Sequence, residues 1–231
     1  GDVYKRQPPT RIGMSIGDIG SGLYATIGVQ AALFHRQLTG EATKVDIGML
    51  DCQLALLENA VMRYQVSGTA PGPLGARHPS ITPFEAYKTK DGYIIISAGN
   101  DGLFAKLAEA LENPGWAEDP DYSSNDNRNK HVEKLKIEME SVLTTHTTSH
   151  WIEVLDKFGV PSGPINDIGQ AATHPQTIAR NMIVSVDDPI TGPMKVAGNP
   201  IKISGFEDPE TREPAPNLDQ NREQILRELT D

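Results

Sequence analysis

The chain has 231 residues, of which 38% are hydrophobic and 23% are charged, and its formal net charge is −10. This length allows one large or two small domains with hydrophobic cores, and the negative charge argues against binding nucleic acid or an anionic membrane through a broad basic surface. Its one cysteine, Cys52, cannot form an internal disulfide, and no apolar run reaches the ~20 residues of a membrane-spanning helix. A globular protein of a reducing, cytoplasmic compartment is therefore predicted.

The first residues differ from the rest of the chain. Residues 1–7, Gly-Asp-Val-Tyr-Lys-Arg-Gln, do not begin with methionine and lack the apolar region of a signal peptide. We interpret residues 1–7 as a non-native or disordered leader, and we expect the chain to be a piece of a longer protein.

A carboxylate flanked by three glycines follows the leader. Asp18 lies between Gly17 and Gly20, with Gly22 beyond, and hydrophobic residues at helical spacing then predict a helix over residues 21–38. Glycine permits a positive φ and close approach of a ligand, and a helix N-terminus directs free N–H groups and its positive dipole end toward that ligand. The residues alone leave two interpretations open: Asp18 is a catalytic carboxylate, or it caps the helix while the glycines form a tight turn.

The next elements are typical of part of an α/β domain. Gly40 lies where a helix C-cap is expected, and alternating apolar residues predict a strand over residues 45–49. Asp51 is predicted to cap a second helix that ends before Gly68. We assign residues 8–72 to the C-terminal part of a Rossmann-like large domain, whose other strands would lie upstream.

Prolines and glycines at residues 71–75 mark a domain boundary. Beyond it we predict a hairpin over residues 83–89 and 93–98, a helix capped by Asn100 or Asp101, a polar loop over residues 119–129, and helices over residues 132–142 and 149–158. These elements predict a small α+β domain over residues 73–165. Its first loop carries Ala76, Arg77 and His78, which either meet an anionic substrate or form a solvated linker.

Residues 166–231 are predicted to return and pack on the large domain. A stiff connector over residues 160–164 precedes two short helices around His174, a hairpin over residues 184–204, an extended linker over residues 209–216 and a last helix over residues 219–229. Spacings typical of metal sites, phosphate-binding loops, dinucleotide-binding turns and serine nucleophiles are absent from the sequence. No metal site is predicted.

Taken together, these segments resemble the class III CoA-transferases (the CaiB/BaiF-like proteins), which include formyl-CoA transferase and succinate hydroxymethylglutarate CoA-transferase. The similarity extends from about residue 8 to the C-terminus. It is carried in order by GDIGSG (17–22), IGVQAAL (27–33), RQLTG (36–40), VDI (45–47), HPSITPF (78–84), KDGYI (90–94), GND (99–101), GVPSGP (159–164) and GNPIK (198–202).

The resemblance implies an α/β fold with a partial Rossmann-like large domain and a smaller α+β domain. It implies that Asp18 attacks an acyl-CoA thioester, and that an aspartyl anhydride and an aspartyl-CoA thioester follow. Gly17, Gly20, Gly22, Ala76, Arg77 and His78 are the implied substrate-binding residues. Coenzyme A and its acyl derivatives are substrates, and no permanently bound cofactor is implied. The N-terminal half of such proteins, which binds CoA, would precede this chain, and two full-length copies would interlock as a homodimer.

Two further expectations concern specificity and rival functions. Formyl-CoA members have a glycine-rich loop where this chain has Arg77 and His78, so a larger acid is expected, for example a dicarboxylate such as succinate. The closest alternative is an α-methylacyl-CoA racemase, which shares the fold and uses the equivalent aspartate for proton transfer. Racemases tend to carry Glu where this chain has Asn100 and Asp101, which favours transfer. A second alternative is a non-catalytic homologue.

Overall fold

The computed structural model describes residues 12–230, so the predicted leader, residues 1–7, lies outside the described residues. The first part of the described chain is helical: α1 (Ile16–Thr39), α2 (Met49–Leu56) and α3 (Asn59–Ser67). Helices α1 and α3 each end at a glycine in the left-handed conformation, Gly40 and Gly68, as predicted. Helices α1 and α2 pack against each other.

Two sequence predictions for this part are wrong, one for the start of the first helix and one for the second helix. Helix α1 begins at Ile16 rather than after the glycines. Residues 45–48 pair with no strand in the described chain, but the strands expected beside them would lie upstream, so the predicted strand stays a prediction. The second helix is capped by Gly48, not by Asp51, and Glu58, with φ 53°, divides it into α2 and α3. The tertiary contacts explain why α1 contains glycines. A Cβ at residue 20 would lie 2.7 Å from Leu56 Cδ1, and one at residue 28 would lie 2.8 Å from Val45 Cγ1. Packing therefore requires glycines inside α1, despite their low helix propensity.

The small domain is built around a three-stranded antiparallel sheet. It comprises β1 (Phe84–Lys88), β2 (Tyr93–Ser97), α4 (Asp101–Ala110), α5 (Asn125–Lys130), α6 (Val132–Leu143), α7 (Thr148–Phe158) and β3 (Ser162–Pro164). The strand order is β1-β2-β3. The predicted hairpin and the helices α4, α6 and α7 are confirmed. Asn100 is the cap of α4, since its side chain accepts a hydrogen bond from the Leu103 N–H at 2.8 Å.

Two short elements of this domain were missed. The predicted polar loop contains α5, and the predicted connector contains β3, which pairs with β2. Both are too short for a hydrophobic period, so their pattern is invisible in the sequence.

One buried cluster forms the core of the small domain. It includes Tyr87, Ile94, Ile96, Phe104, Leu107, Leu135, Met139, Trp151 and Leu155. Tyr87, Ile94 and Ile96 lie on one face of the sheet, because Tyr87 pairs directly with Ile94 and alternate residues of a strand point to the same face. Helices α4, α6 and α7 cover that face.

The last segment contains a second small sheet. Its elements are α8 (Ile168–Thr173), α9 (Pro175–Ala179), β4 (Ile183–Asp188), β5 (Gly192–Ala197), β6 (Thr211–Arg212) and α10 (Arg222–Glu228). The predicted helices around His174 are confirmed. The predicted hairpin over residues 184–204 is confirmed in part, because β4 pairs with β5 but β5 ends at Ala197. The predicted linker over residues 209–216 is wrong in one respect, because it supplies β6, which pairs in parallel with β4. Among residues 12–230, no helix has both the length and the apolar character that crossing a bilayer requires.

Candidate active site

Asp18 lies in the first turn of α1, as the third residue of the helix. The N-cap is Ser15, so the interpretation of Asp18 as the helix cap is wrong in its simple form. Its side chain is exposed, and within residues 12–230 neither a hydrogen bond nor an ion pair engages its carboxylate. A carboxylate at this position is favoured by the positive end of the helix dipole. Asp18 therefore presents a carboxylate that no residue of the described chain pairs, at the N-terminal end of a 24-residue helix.

The three glycines differ in their surroundings. Each lies inside α1, and each has a negative φ, so positive φ does not explain them. Gly20 is buried against Leu56 and Gly17 lies beside the Gln53 side chain, whereas a Cβ at Gly22 would meet no atom within 4 Å. Gly22 is also one turn beyond Asp18, on the same helix face. Gly20 thus serves packing, and Gly22 leaves open space next to the carboxylate.

Within α1, free backbone donors occur only in the first turn. The N–H groups of the first turn have no partner within a helix, and the ladder begins with the Ile19 N–H, which donates to the Ser15 carbonyl at 3.0 Å. Gly20 and Gly22 lie further along, where N–H groups donate to carbonyls four residues earlier. Of the predicted glycine donors, only Gly17 has an N–H that the helix leaves free. The Gln53 amide beside Gly17 is a polar group that the sequence analysis missed, because only packing of α2 on α1 brings it there.

Ala76, Arg77 and His78 belong to a loop, residues 76–79, at the entry to β1. Arg77 is half-buried, and no hydrogen bond or ion pair to its guanidinium is found within the described chain. Its charge nevertheless acts on β1. Burial raises the pKa of the Glu85 carboxyl, while the hydrogen bond and charge of Lys136 and the charge of Arg77 oppose that rise. Arg77 is therefore a cation close to β1, and no described residue occupies its donors.

His78 is held in one orientation. Its backbone N–H donates to the Phe84 carbonyl at 2.9 Å. Its ring stacks on the Phe84 ring, with the centroids 5.3 Å apart and the planes 3° from parallel. The Ser80 N–H donates to His78 Nδ1 at 3.2 Å. Because Nδ1 accepts, a neutral His78 ring carries its proton on Nε2. Nε2 has no partner among the residues described, and it can donate to a ligand.

The structure forms two separate halves of the predicted site. Asp18 and its glycines belong to α1, and Ala76, Arg77 and His78 belong to the loop before β1. Within residues 12–230, no hydrogen bond or ion pair joins the two. No group of three or more His, Cys, Asp or Glu side chains in that range has the arrangement of a metal site.

The residues that distinguish the racemase alternative have roles in the fold. Asn100 caps α4, and the Asp101 carboxylate accepts a hydrogen bond from Arg128 Nη2 at 2.8 Å. Both side chains therefore stabilise the turn between β2 and α4.

Comparison with known proteins identifies relatives over nearly the whole chain. The chain is 38% identical over 223 residues to the acetyl-CoA:oxalate CoA-transferase of Acetobacter aceti, covering 96% of this chain and 56% of that protein. It is 34% identical to the succinate–glutarate CoA-transferase of Agrobacterium fabrum (96% and 55%) and 31% identical to the human succinyl-CoA:glutarate CoA-transferase (96% and 50%). The chain thus spans about half the length of the curated relatives it matches.

Solved structures match the same extent of chain. A crystal structure of a CaiB/BaiF family protein from Brucella suis superposes with a TM-score of 0.76 at 33% identity, covering 98% of this chain and 58% of that one. A protein from Mycobacterium tuberculosis has the same fold, with a TM-score of 0.75 at 24% identity over 91% of this chain and 58% of that one. The expected mixed α/β fold is confirmed. The sequence model of CoA-transferase family III matches residues 3–222, and the chain belongs to that family.

Proposed function

We propose that the full-length protein transfers coenzyme A from an acyl-CoA donor to a carboxylic acid acceptor, with Asp18 as the nucleophile. The observation that carries this proposal is the exposed Asp18 carboxylate, which no group within residues 12–230 engages, in a chain whose relatives are named as CoA-transferases. A carboxylate already engaged by the fold would have to break those bonds before attacking. Asp18 has no such bonds within the described chain.

The proposed reaction has four steps that balance. An Asp18 oxygen attacks the thioester carbon of the donor, the C–S bond breaks, and CoA leaves as a thiolate from an aspartyl–acyl anhydride. The thiolate attacks the Asp18 carbonyl carbon and releases the donor acid as its carboxylate, which leaves an aspartyl-CoA thioester. The acceptor carboxylate attacks that thioester and expels the thiolate. The thiolate then attacks the acceptor acyl carbon, which forms the product thioester and restores Asp18.

Each step passes through a tetrahedral oxyanion that needs hydrogen-bond donors. The free N–H groups of the first turn of α1 are the candidates, and the Gly17 N–H is the one among the predicted glycines. Gly20 allows α1 to approach α2, and Gly22 leaves space beside the carboxylate. We assign Gly17 to substrate binding as a direct donor and Gly22 as a position kept free of a side chain, while Gly20 contributes indirectly, through the packing of α1 on α2.

We further propose that the acceptor is a dicarboxylic acid. Relatives at 32–38% identity are named for oxalate, glutarate, mesaconate and D-citramalate, and each of these acids has two carboxyl groups. In this chain the Arg77 guanidinium, which no group within residues 12–230 engages, and the Nε2 donor of His78 suit the carboxylate that does not react. We assign Ala76, the preceding residue of the same loop, to this subsite. One relative is named for oxalate. The carboxylic acids tested as acceptors must therefore include two-carbon acids as well as succinate.

The remaining proposals concern the full-length protein. By its family membership we propose an interlocked homodimer in the cytoplasm that acts on small molecules rather than on nucleic acid or membranes. CoA is a transient substrate and no cofactor or metal is held permanently. A single cysteine in 231 residues is in keeping with a reducing compartment.

The test is to trap the intermediate on Asp18. The full-length protein is incubated with an acyl-CoA donor, and digested peptides are searched by mass spectrometry for acyl or CoA adducts at residue 18. Asp18→Ala should abolish the adduct and lower kcat by at least roughly a thousandfold, as removal of a nucleophile does. Asp51→Ala is the matched control, since Asp51 is also an exposed third residue of its helix. This variant should form the adduct at residue 18 and keep the unmodified kcat.

Two outcomes would contradict the proposal. Transfer by Asp18→Ala at the unmodified rate would exclude Asp18 as the nucleophile. Exchange of the α-proton of a 2-methylacyl-CoA in D₂O, without any acceptor acid, would identify a racemase instead.

A further inference from the structure

Helix α5 is hydrogen-bonded to the segment that follows the 76–79 loop. Asn125 Oδ1 accepts from the Thr82 N–H at 3.1 Å, and Asn125 Nδ2 donates to the Ser80 carbonyl at 2.9 Å. One turn later, Asn129 Nδ2 donates to the same Ser80 carbonyl at 2.8 Å, and Asn129 Oδ1 accepts from the Thr82 hydroxyl at 2.7 Å. Residues four apart share a helix face, so one face of α5 holds residues 80 and 82 by four hydrogen bonds.

Arg128, between these two asparagines, ties the same segment to the rest of the domain. Its side chain is fully buried, and its Nε donates to the Thr82 carbonyl at 2.7 Å. The other two nitrogens donate to the Tyr122 carbonyl and to the Asp101 carboxylate, each at 2.8 Å. The guanidinium carbon also lies 4.5 Å from the centroid of the Phe104 ring. The planar fork of Arg128 therefore joins three separate segments at once.

A close packing contact fixes the residue between Ser80 and Thr82. A Cβ at residue 99 would lie only 2.1 Å from Ile81 Cγ2. Only glycine at position 99 lets Ile81 approach the turn between β2 and α4 so closely. Residues 80, 81 and 82 are thus each held by contacts distant in sequence, immediately after His78 and Pro79.

We propose that Asn125, Arg128 and Asn129 are positioning residues, which hold the 76–79 loop so that Arg77 and His78 meet the second carboxylate of the acceptor. This inference rests on the proposed function. The physical reason is preorganisation: a loop already fixed in its binding conformation loses less conformational entropy when the acid binds. Ser80 connects α5 to His78. Its carbonyl accepts a hydrogen bond from α5, and its N–H donates to the His78 ring. Through this one residue, α5 helps to orient the His78 Nε2 donor.

The test compares two asparagines of the same helix. Asn125→Ala removes the contacts to residues 80 and 82, while Asn127→Ala removes only a bond from Asn127 Nδ2 to the Pro120 carbonyl. In the full-length protein, Asn125→Ala should raise KM for succinate roughly threefold to tenfold, the effect of one or two ordinary hydrogen bonds. It should leave KM for butyrate, which has one carboxyl group, unchanged, and Asn127→Ala should change neither.

A second pair of variants separates positioning from loss of folding. Thr82→Val deletes the hydroxyl that donates to Asn129 and should also raise KM for succinate. Thr82→Ser keeps that hydroxyl, so its KM for succinate should equal that of the unmodified protein. Hydrogen exchange of the amides of residues 78 and 80 provides a readout that does not depend on activity. Exchange at both should be faster in Asn125→Ala and Thr82→Val than in Asn127→Ala.

The outcomes are distinguishable. Equal exchange in Asn125→Ala and Asn127→Ala would overturn the hold of α5 on the loop. Faster exchange with an unchanged KM for succinate, or an equal rise for butyrate, would overturn the positioning role. Absence of transfer by the unmodified protein would overturn the proposed function and the substrate role of the loop, while the exchange rates would still decide whether α5 holds it.

Discussion

Arg128 places a positive charge inside the small domain. Transfer of an unpaired charge from water to a protein interior is costly, and the cost is offset only where good partners are present. Arg128 has two carbonyls, one carboxylate and the Phe104 ring as partners. Asp101 keeps its carboxylate largely in solvent, so the pair is buried only on the arginine side. The stability of the domain should therefore depend on the geometry of the guanidinium as well as its charge.

Arg128→Lys tests this dependence. Lysine keeps the charge but cannot direct donors at three fixed partners, so we expect the free energy of unfolding to fall by about 2–4 kcal/mol. Urea unfolding followed by the fluorescence of Trp116 and Trp151 measures the change. Lys130→Ala, at an exposed position of the same helix, is the control and should stay within about 0.5 kcal/mol. A similarly small effect of Arg128→Lys would mean that charge alone suffices.

Glycines of α1 allow a second prediction at the scale of single residues. Gly22→Ala adds a methyl group in open space inside a helix, so the free energy of unfolding should rise by about 0.5–1 kcal/mol. The same methyl group lies one turn from Asp18, and we expect kcat/KM for the acyl-CoA donor to fall. Gly28→Ala should lower stability instead, because its Cβ would meet Val45 Cγ1 at 2.8 Å. Thermal melts and steady-state kinetics separate the two effects, and full activity of Gly22→Ala would remove Gly22 from the site.

At the scale of elements, short segments are held by polar contacts rather than by hydrophobic periodicity. Strand β6 has two residues, and the loop before it is fixed by Asp208, which pairs with Lys202 and Arg212. Asn181 Nδ2 also donates to the Asp208 backbone carbonyl at 2.8 Å. The hydrogen bond from Lys202 is the main reason that the pKa of Asp208 is lowered to about 2. The loop that brings β6 to β4 therefore depends on one ionised carboxylate.

This dependence predicts an acid-sensitive segment. The pKa of Asp208 is lower in the folded protein than the usual ~3.9 of an unfolded chain, so its stabilising effect is complete above about pH 4 and is lost as pH falls toward about 2. Asp208→Asn should lower the Tm at pH 7 and reduce the fall of Tm across that window. Asp187→Asn, exposed on the adjacent strand β4, should leave the profile unchanged. Identical profiles for Asp208→Asn and the unmodified protein would contradict this assignment.

At the scale of the whole molecule, burial is uneven. The core residues of the small domain are almost fully buried, whereas α1 and α2 expose large apolar side chains: Leu23 at 62%, Ile27 at 62%, Leu38 at 71% and Leu50 at 73%. Large apolar side chains exposed on two neighbouring helices mark an interface or a risk of aggregation.

We therefore expect the isolated 231-residue chain to self-associate. Size-exclusion chromatography should show species larger than a monomer, and a dye such as ANS should bind and fluoresce. Hydrogen exchange should protect amides of β2 and α6 but leave those of α1 to α3 weakly protected, because few apolar contacts hold them. A monomer with one cooperative melt, no dye binding and CoA-dependent stabilisation would contradict this expectation.

The sequence by itself determined the elements with long hydrophobic periods or strong turn signals. Helices α4, α6 and α7, the β1–β2 and β4–β5 hairpins and the caps at Gly40 and Gly68 were predictable, because periodicity and capping are local properties. Ordered motifs also indicated the family and Asp18. The catalytic role of Asp18, the domain boundaries and the substrate-binding residues stay predictions.

Only the tertiary structure decided what depends on contacts between distant residues. Helix α1 contains Gly20 and Gly28 where Leu56 and Val45 occupy the space that a side chain at each position would need. Residues 45–48 lack a strand partner in the described chain. Helix α5 and strand β3 are too short to have a period, and Arg128 in a polar stretch gives no sign of burial until Thr82, Tyr122 and Asp101 surround it. Local patterns report propensity, whereas packing and buried hydrogen bonds arise between segments that only the fold brings together.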